Sequence, residues 1–271
     1  MANSRSGESV LQRAMRILEC FDVDRPRLTA AQIAAATGLS RSTTHRLVTE
    51  MTSVGMLHRH DDHTLSVSVR SWETSVRCNP VEKLRETARP VLEDLHARVG
   101  HHICLTVPDF DTLSVLYLER HDAPYPLRII SRHASRLPLH DNSTGLAMLA
   151  HADESTVRRV LDEQASGRDA GALLAHLADI RRRGYGHIVG GMVAENTSFA
   201  VPCLDRDGTV LCSVGVVART GRCDHDSVLG ALTTAGRRLA AALDPAGPGN
   251  TARTGGTGEP ATSPWPPLVS R

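Results

Sequence analysis

Apolar residues recur along this chain with two different periods, and the change from one to the other divides it. Val10, Leu11, Ala14, Ile17, Leu18 and Phe21 fall on one helical stripe over Ser9 to Phe21, and Pro26 breaks the pattern within Asp22 to Arg27. Thr29 then precedes AAQIAAA with Gln32 three residues on, the spacing of a capping box before a strongly helical run. Gly38 can take the positive φ that ends this helix, and Ser40 is placed to cap the next. In that next helix Thr44, Leu47, Val48 and Met51 recur at i, i+3, i+4, i+7 and can pack on Ile33 and Leu39. Ser42, His45, Arg46 and Thr49 share the opposite face. A face of hydrogen-bond donors that begins at a helix N-terminus favours phosphate.

The period then shortens. Over Met56 to Arg70, Asp61-Asp62-His63 reads as a hairpin turn, after which Leu65, Val67 and Val69 alternate with Ser66, Ser68 and Arg70. Three helices followed by a β-hairpin predict a winged helix-turn-helix. Ser71 to Leu95 returns to a helical pattern that Pro80 interrupts, with Pro90 opening a further turn. From His101 onward HICLTV and TLSVLYLER read as strands joined at PDFD, and PLRIIS as a third strand. A helix begins at NSTGLAMLAH, capped by Asn142 or Ser143, with two more near Glu154 to Gln164 and Gly171 to Arg183. SFAVPCL and TVLCSVGVVA are strands flanking a turn at Asp205 to Gly208, and His225 to Leu243 closes with an amphipathic helix. Hairpin-paired strands with helices between and after them predict an antiparallel α+β domain. After Asp244 only a Pro/Gly/Thr/Ser-rich tail remains, which cannot bury enough apolar surface to offset its ordering entropy; disorder is expected.

Composition narrows the partners. The formal net charge is +1 and Lys83 is the only lysine, so the chain as a whole is no general polyanion binder and any nucleic-acid surface is local. Over Met1 to Arg70 nine arginines face seven acids, too small an excess for a single module to bind DNA strongly. Two copies would double the contacts, which makes oligomerisation part of the expected mechanism. The start, MANSRSGESVLQ, lacks an apolar run after its basic residue, and no apolar stretch approaches the roughly 20 residues that span a bilayer. A cytoplasmic protein without membrane partners is expected, its six cysteines free and mainly buried because none stands in a CxxC pair.

Five segments in order, SVLQRAMRILECF, LTAAQIAAATGLSRSTTHRLVTEMTSVGMLHR, LPLHDNSTGLAMLAH, IRRRGYG and AVPCLDRDGTVLCSVGV, resemble the isocitrate lyase regulator (IclR) family of bacterial transcriptional regulators. The resemblance runs from about Ser9 to Leu243. It implies a winged helix-turn-helix over residues 8–70, a linker helix used in dimerisation over 71–83, and an effector-binding domain of GAF/profilin-like antiparallel sheet and helices over 84–243, followed by the tail, 244–271. It further implies a homodimer or homotetramer that binds double-stranded operator DNA and responds to a small organic metabolite. Whether such a protein represses or activates depends on where its operator lies relative to the promoter.

For DNA, the residues place the second helix of the pair in the major groove. Arg46 is the candidate for a bidentate guanine or phosphate contact, Arg41, Ser42, Thr43 and His45 are placed for backbone or neighbouring bases, and Arg59 in the wing suits a phosphate or the minor groove. Carried over from the resembling family, the effector contacts fall on Ser143, Thr144, Ser198, Gly215 and Val217. Backbone N–H groups at the helix start would suit a carboxylate. Strand parity points Leu211, Ser213, Gly215 and Val217 one way. Departures from the family pattern are Leu146 for a usual lysine, Glu195 for a frequent glycine, Gly190 and Gly191 for common acids, and Gly215 and Val217 for serines of members that bind small hydroxy or oxo acids. Fewer hydroxyls, more room and a more apolar wall suggest a larger effector, an aromatic or amphipathic metabolite.

Rival readings carry less. His58, His60 and His63, or His101, His102 and Cys104, are metal-ligand types, but no spacing matches a structural zinc site; neither a metal nor a cofactor is expected. No G-x-S-x-G, P-loop or H-E-x-x-H occurs, which argues against an enzyme. The helix pair could also serve an adaptor that contacts protein rather than DNA.

Overall fold

The computed structural model describes residues 8–164 and 169–244. Apart from Asp244, the tail expected to be disordered lies outside the described residues. The chain divides into two compact units, Met1–Asn79 and Pro80–Arg271.

The first unit holds helices α1 (Val10–Leu18), α2 (Ala30–Thr37) and α3 (Arg41–Ser53), strands β1 (Leu57–Arg59) and β2 (Leu65–Val67), and helix α4 (Val69–Arg77). Capping boxes start both α1 and α2: Ser9 with Gln12, and Thr29 with Gln32. Gly38 ends α2 at φ +67°, and Ser40 Oγ accepts from Thr43 N at 3.2 Å to start α3. The core gathers Ile17 of α1, Ile33 of α2, Leu47, Val48 and Met51 of α3, and Leu57 and Leu65 of the two-stranded wing. Leu28 clamps the wing to the helices by exchanging both backbone hydrogen bonds with Leu65. The second strand is shorter than its alternation predicts. Ser68 accepts from Ser71 N and donates to Gly55 O, so Val69 and Arg70 belong to α4 and both are exposed.

The second unit opens with α5 (Glu82–Val99), followed by β3 (His102–Asp109), β4 (Ser114–His121), β5 (Arg136–Pro138), α6 (Ser143–Leu149), α7 (Glu154–Glu163), α8 (Ala170–Arg183), β6 (Gly186–Val189), β7 (Asn196–Leu204), β8 (Val210–Arg219) and α9 (His225–Leu243). The strands form one antiparallel sheet in the order β5-β4-β3-β8-β7-β6. Helices α5 and α9 pack on one face around Leu92, Leu105, Val214, Val216 and Leu232, and α6, α7 and α8 pack on the other around Leu139, Met148, Val160 and Ile180. The result is three layers, an α+β architecture.

Three local expectations are corrected. Pro90 opens no new turn but lies inside α5, on its exposed side, where water can take the carbonyl bond that proline cannot make. PLRIIS is not a strand: Pro124 and Pro126 remove donors from the segment, and the sheet edge on β4 is filled by Arg136–Pro138 instead. Strand parity fails at Leu211, because Cys203 pairs with Cys212 and Leu204 with Val210, leaving Leu211 as the extra residue of a bulge. Leu211 therefore joins the α5–α9 core, while Gly215 and Val217 remain on the opposite face. The short strand β6 has no counterpart in the sequence reading.

Candidate functional site

On α3 the two faces separate as the spacing requires. Thr44, Leu47, Val48 and Met51 are buried, while Arg41, Ser42, His45, Arg46 and Thr49 are exposed. Ser42, His45, Arg46 and Thr49, with Glu50 and Ser53, line a shallow concave strip along the helix. Arg46 Nη1 lies 3.6 Å from Glu50 Oε2, an exposed pair one turn apart that costs little to break. Ser42 and Thr43 are less free: their hydroxyls sit 3.1 and 2.9 Å from the capping Ser40 Oγ, and Thr43 is half-buried. Arg59 lies half-buried on β1, opposite Leu65. Of the wing histidines, His60 Nε2 is 3.0 Å from Ser66 Oγ and packs edge-on to His58. Among the described residues no group of three or more His, Cys, Asp or Glu could hold a metal ion.

In the second unit a cavity lies on the α6 face of the sheet, with an empty volume of about 610 Å³ including its mouth. Ser143, Thr144, Ser198, Gly215 and Val217 all line it. Asn142 builds the α6 end: its Oδ1 accepts from Gly145 N and from Thr144 Oγ1, both at 2.7 Å, while its Nδ2 donates to Pro138 O at 2.7 Å. The helix is pressed so close that a Cβ on Gly145 would stand 2.2 Å from Leu139 O. Gly215 is equally constrained in effect, since a Cβ there would meet Thr144 Cγ2 at 2.7 Å and Cys104 Sγ at 2.9 Å. The room that Gly215 promised is thus already filled by its neighbours.

Other lining residues were not foreseen. Cys104 and Tyr117 reach the cavity from β3 and β4; burial pushes the Cys104 thiol up to about 12 and raises the Tyr117 phenol too, whose hydroxyl bonds to Thr144 and Ser131. Arg128, Ile129, Ile130 and Ser131 close one side from the irregular segment misread as a strand, and Gly191, Met192 and Val193 close another. Parity along HICLTV would have found Cys104; nothing in the pattern marked Arg128 to Ser131 as wall. Leu146 is buried in the α6–α8 core rather than in the cavity wall, and Glu195 is exposed.

Beside the cavity, on the same face of β3 as Cys104, sits His102. Its Nδ1 is 3.2 Å from Asp122 Oδ1, its Nε2 is buried without a partner, and burial lowers its pKa to about 4. Arg120 also bonds Asp122 and donates to Ser131 O at 2.9 Å, which fastens the irregular segment to β4.

Residues 80–244 match the bacterial transcriptional regulator IclR C-terminal family, and residues 10–61 match the IclR helix-turn-helix domain. The chain belongs to the IclR family. This IclR-family protein is a DNA-binding, effector-modulated transcriptional regulator and not an enzyme. Among solved structures it is similar to an IclR homolog from Microbacterium hydrocarbonoxydans complexed with 4-hydroxybenzoate, with 34% identity, a TM-score of 0.78, and coverage of 87% of this chain and 99% of that one. It is also similar to the p-hydroxybenzoate hydroxylase transcriptional activator of Acinetobacter baylyi, with 25% identity over 78% of this chain and 82% of the relative. The transcriptional repressor IclR of Escherichia coli is 23% identical over 65% of this chain and 67% of the relative. Activators and repressors therefore both occur among its relatives. No helix among the described residues is long and apolar enough to cross a membrane.

Proposed function

We propose that this IclR-family regulator senses a small aromatic acid in the α6-side cavity and changes its hold on operator DNA in response. The observation that carries the reading is the wall itself: Ile129, Ile130, Met192, Val193 and Val217 offer apolar surface to a ring, while Tyr117, Ser131, Ser143, Thr144 and Ser198 offer hydroxyls. The 4-hydroxybenzoate complex of a 34% identical homolog supports the same class. Residues 84–243 would form the sensing domain and 8–70 the DNA-reading domain. Arg46 would contact guanine or phosphate, Arg41, Ser42, Thr43 and His45 the backbone and adjacent bases, and Arg59 the phosphates beside the wing.

The regulator would act in the cytoplasm as a homodimer or a homotetramer, with residues 71–83 as linker. Val69, Trp72 and Val76 recur at i, i+3, i+7 on α4 and are 70%, 62% and 53% exposed, an apolar stripe that supports self-association. Thermal-shift screening of the purified protein against hydroxybenzoates, benzoate, glyoxylate and pyruvate tests the effector class. Hydroxybenzoates should raise the melting temperature; a response confined to glyoxylate-sized acids would reject it.

A further inference from the structure

Among the described residues that line the cavity, the one with a positive charge is Arg128, which is exposed. Nearby arginines are committed elsewhere: Arg120 to Asp122 and the Ser131 carbonyl, Arg136 to Asp109 at 2.7 Å. Arg128 engages in no ion pair among the described residues. What the fold does hold is its backbone. Asn196, the first residue of β7 and only 9% exposed, donates from Nδ2 to Arg128 O at 2.8 Å. A buried amide is costly unless bonded, so this contact fixes where an otherwise irregular segment meets the sheet. Among the described residues the one acid on the wall, Asp141, stands 3.4 Å from His140 Nε2 and borders the adjoining groove lined by His140, Asp169 and His176. Among the described residues the lining therefore combines apolar side chains with one cationic residue whose backbone is anchored in place.

We propose that Arg128 reads the negative charge of the effector and that Asn196 is its positioning residue. The inference rests on the aromatic-acid reading above. A guanidinium presents a planar fork of donors that matches a carboxylate, whereas a neutral amide of the same shape gains nothing from the charge. Arg128 thereby separates aromatic acids from equally sized neutral aromatics, a discrimination that the hydroxyls of Tyr117, Ser131 and Thr144 do not supply.

Calorimetric titration of the full-length protein with 4-hydroxybenzoate and its neutral isostere 4-hydroxybenzamide tests this. The wild type should bind the acid more tightly. Arg128→Gln should weaken the acid by about ten- to a hundredfold while the amide changes less than about twofold, and Arg128→Lys should fall between. Asn196→Ala should shrink the acid-to-amide preference, a readout that general loosening of the fold would leave unchanged because it weakens both ligands alike. Equal loss of acid and amide in Arg128→Gln assigns the residue a merely structural role and overturns the proposal. Unchanged acid affinity in that variant also overturns it, with the aromatic-acid reading intact. Failure of the wild type to bind any hydroxybenzoate overturns both.

Discussion

At Gly215 the missing side chain is occupied space, because the Thr144 methyl and the Cys104 thiol already stand where a Cβ would go. At Gly145 the obstacle is the carbonyl of Leu139, which is backbone and cannot rotate aside. Gly215→Ala should lower stability by about 1–3 kcal/mol through overpacking, and Gly145→Ala by more, as read from urea midpoints of the two variants. On α3, Arg46→Ala should weaken operator binding by about 1–3 kcal/mol with the melting temperature unchanged, since the residue gives up only its exposed pair with Glu50. Gel-shift titration at fixed salt checks this; unaltered affinity would remove Arg46 from the interface. Residues of this kind were legible where helical spacing decided their face, as for Ser42, His45, Arg46 and Thr49. Arg128 was not legible, because an arginine in an irregular segment has no period to give it a direction.

Elements with a local start signal were read correctly for a local reason. Thr29, Ser40 and Asn142 each accept a hydrogen bond from a backbone N–H of the helix they begin, which is chemistry contained within four residues. Ser40→Ala should therefore cost about 1 kcal/mol, seen as a lower urea midpoint of the first unit, and Ser40→Gly less. Strands were harder. The edge strand β5, the short β6 and the bulge at Leu211 are settled by pairing with a neighbouring strand, and the alternation of one segment alone does not record them. Pro126 opens PLRIIS and Pro124 stands two residues before it, and the donors they remove are a local signal against a strand there.

For the whole molecule, pH acts most strongly through His102, while burial also holds His101, His151 and His187 below the ordinary value. The folded pKa of His102, about 4, lies below the ordinary 6.5, with burial the larger cause and the Arg120 charge adding to it. Between those values the unfolded chain binds more protons than the folded one, so stability falls as pH drops through this window. The stabilisation is fully present above about 6.5, and up to about 3 kcal/mol is lost by about pH 4. Urea titrations at pH 7 and pH 5 should show part of this loss, and His102→Gln should reduce it; an equal slope in the variant would place the proton elsewhere. The proposed self-association belongs to the same scale. Trp72→Glu on the exposed stripe of α4 should shift the protein toward monomer in sedimentation and weaken operator binding, because the two recognition helices of the proposed dimer would no longer be held together.

The close approach of α6 to its neighbours also bears on how sensors of this kind diversify. One wall of the cavity is set by α6 and β8, where Gly145 and Gly215 admit no larger residue without displacing backbone or core. The facing wall, Arg128 to Ser131, hangs on a few hydrogen bonds outside any ladder. Mutational libraries aimed at new ligands should therefore yield folded, responsive variants when they vary residues 128–131, and mostly unfolded ones when they vary the glycine-bearing wall. The fold keeps its frame and its adjustable surface in separate stretches of sequence.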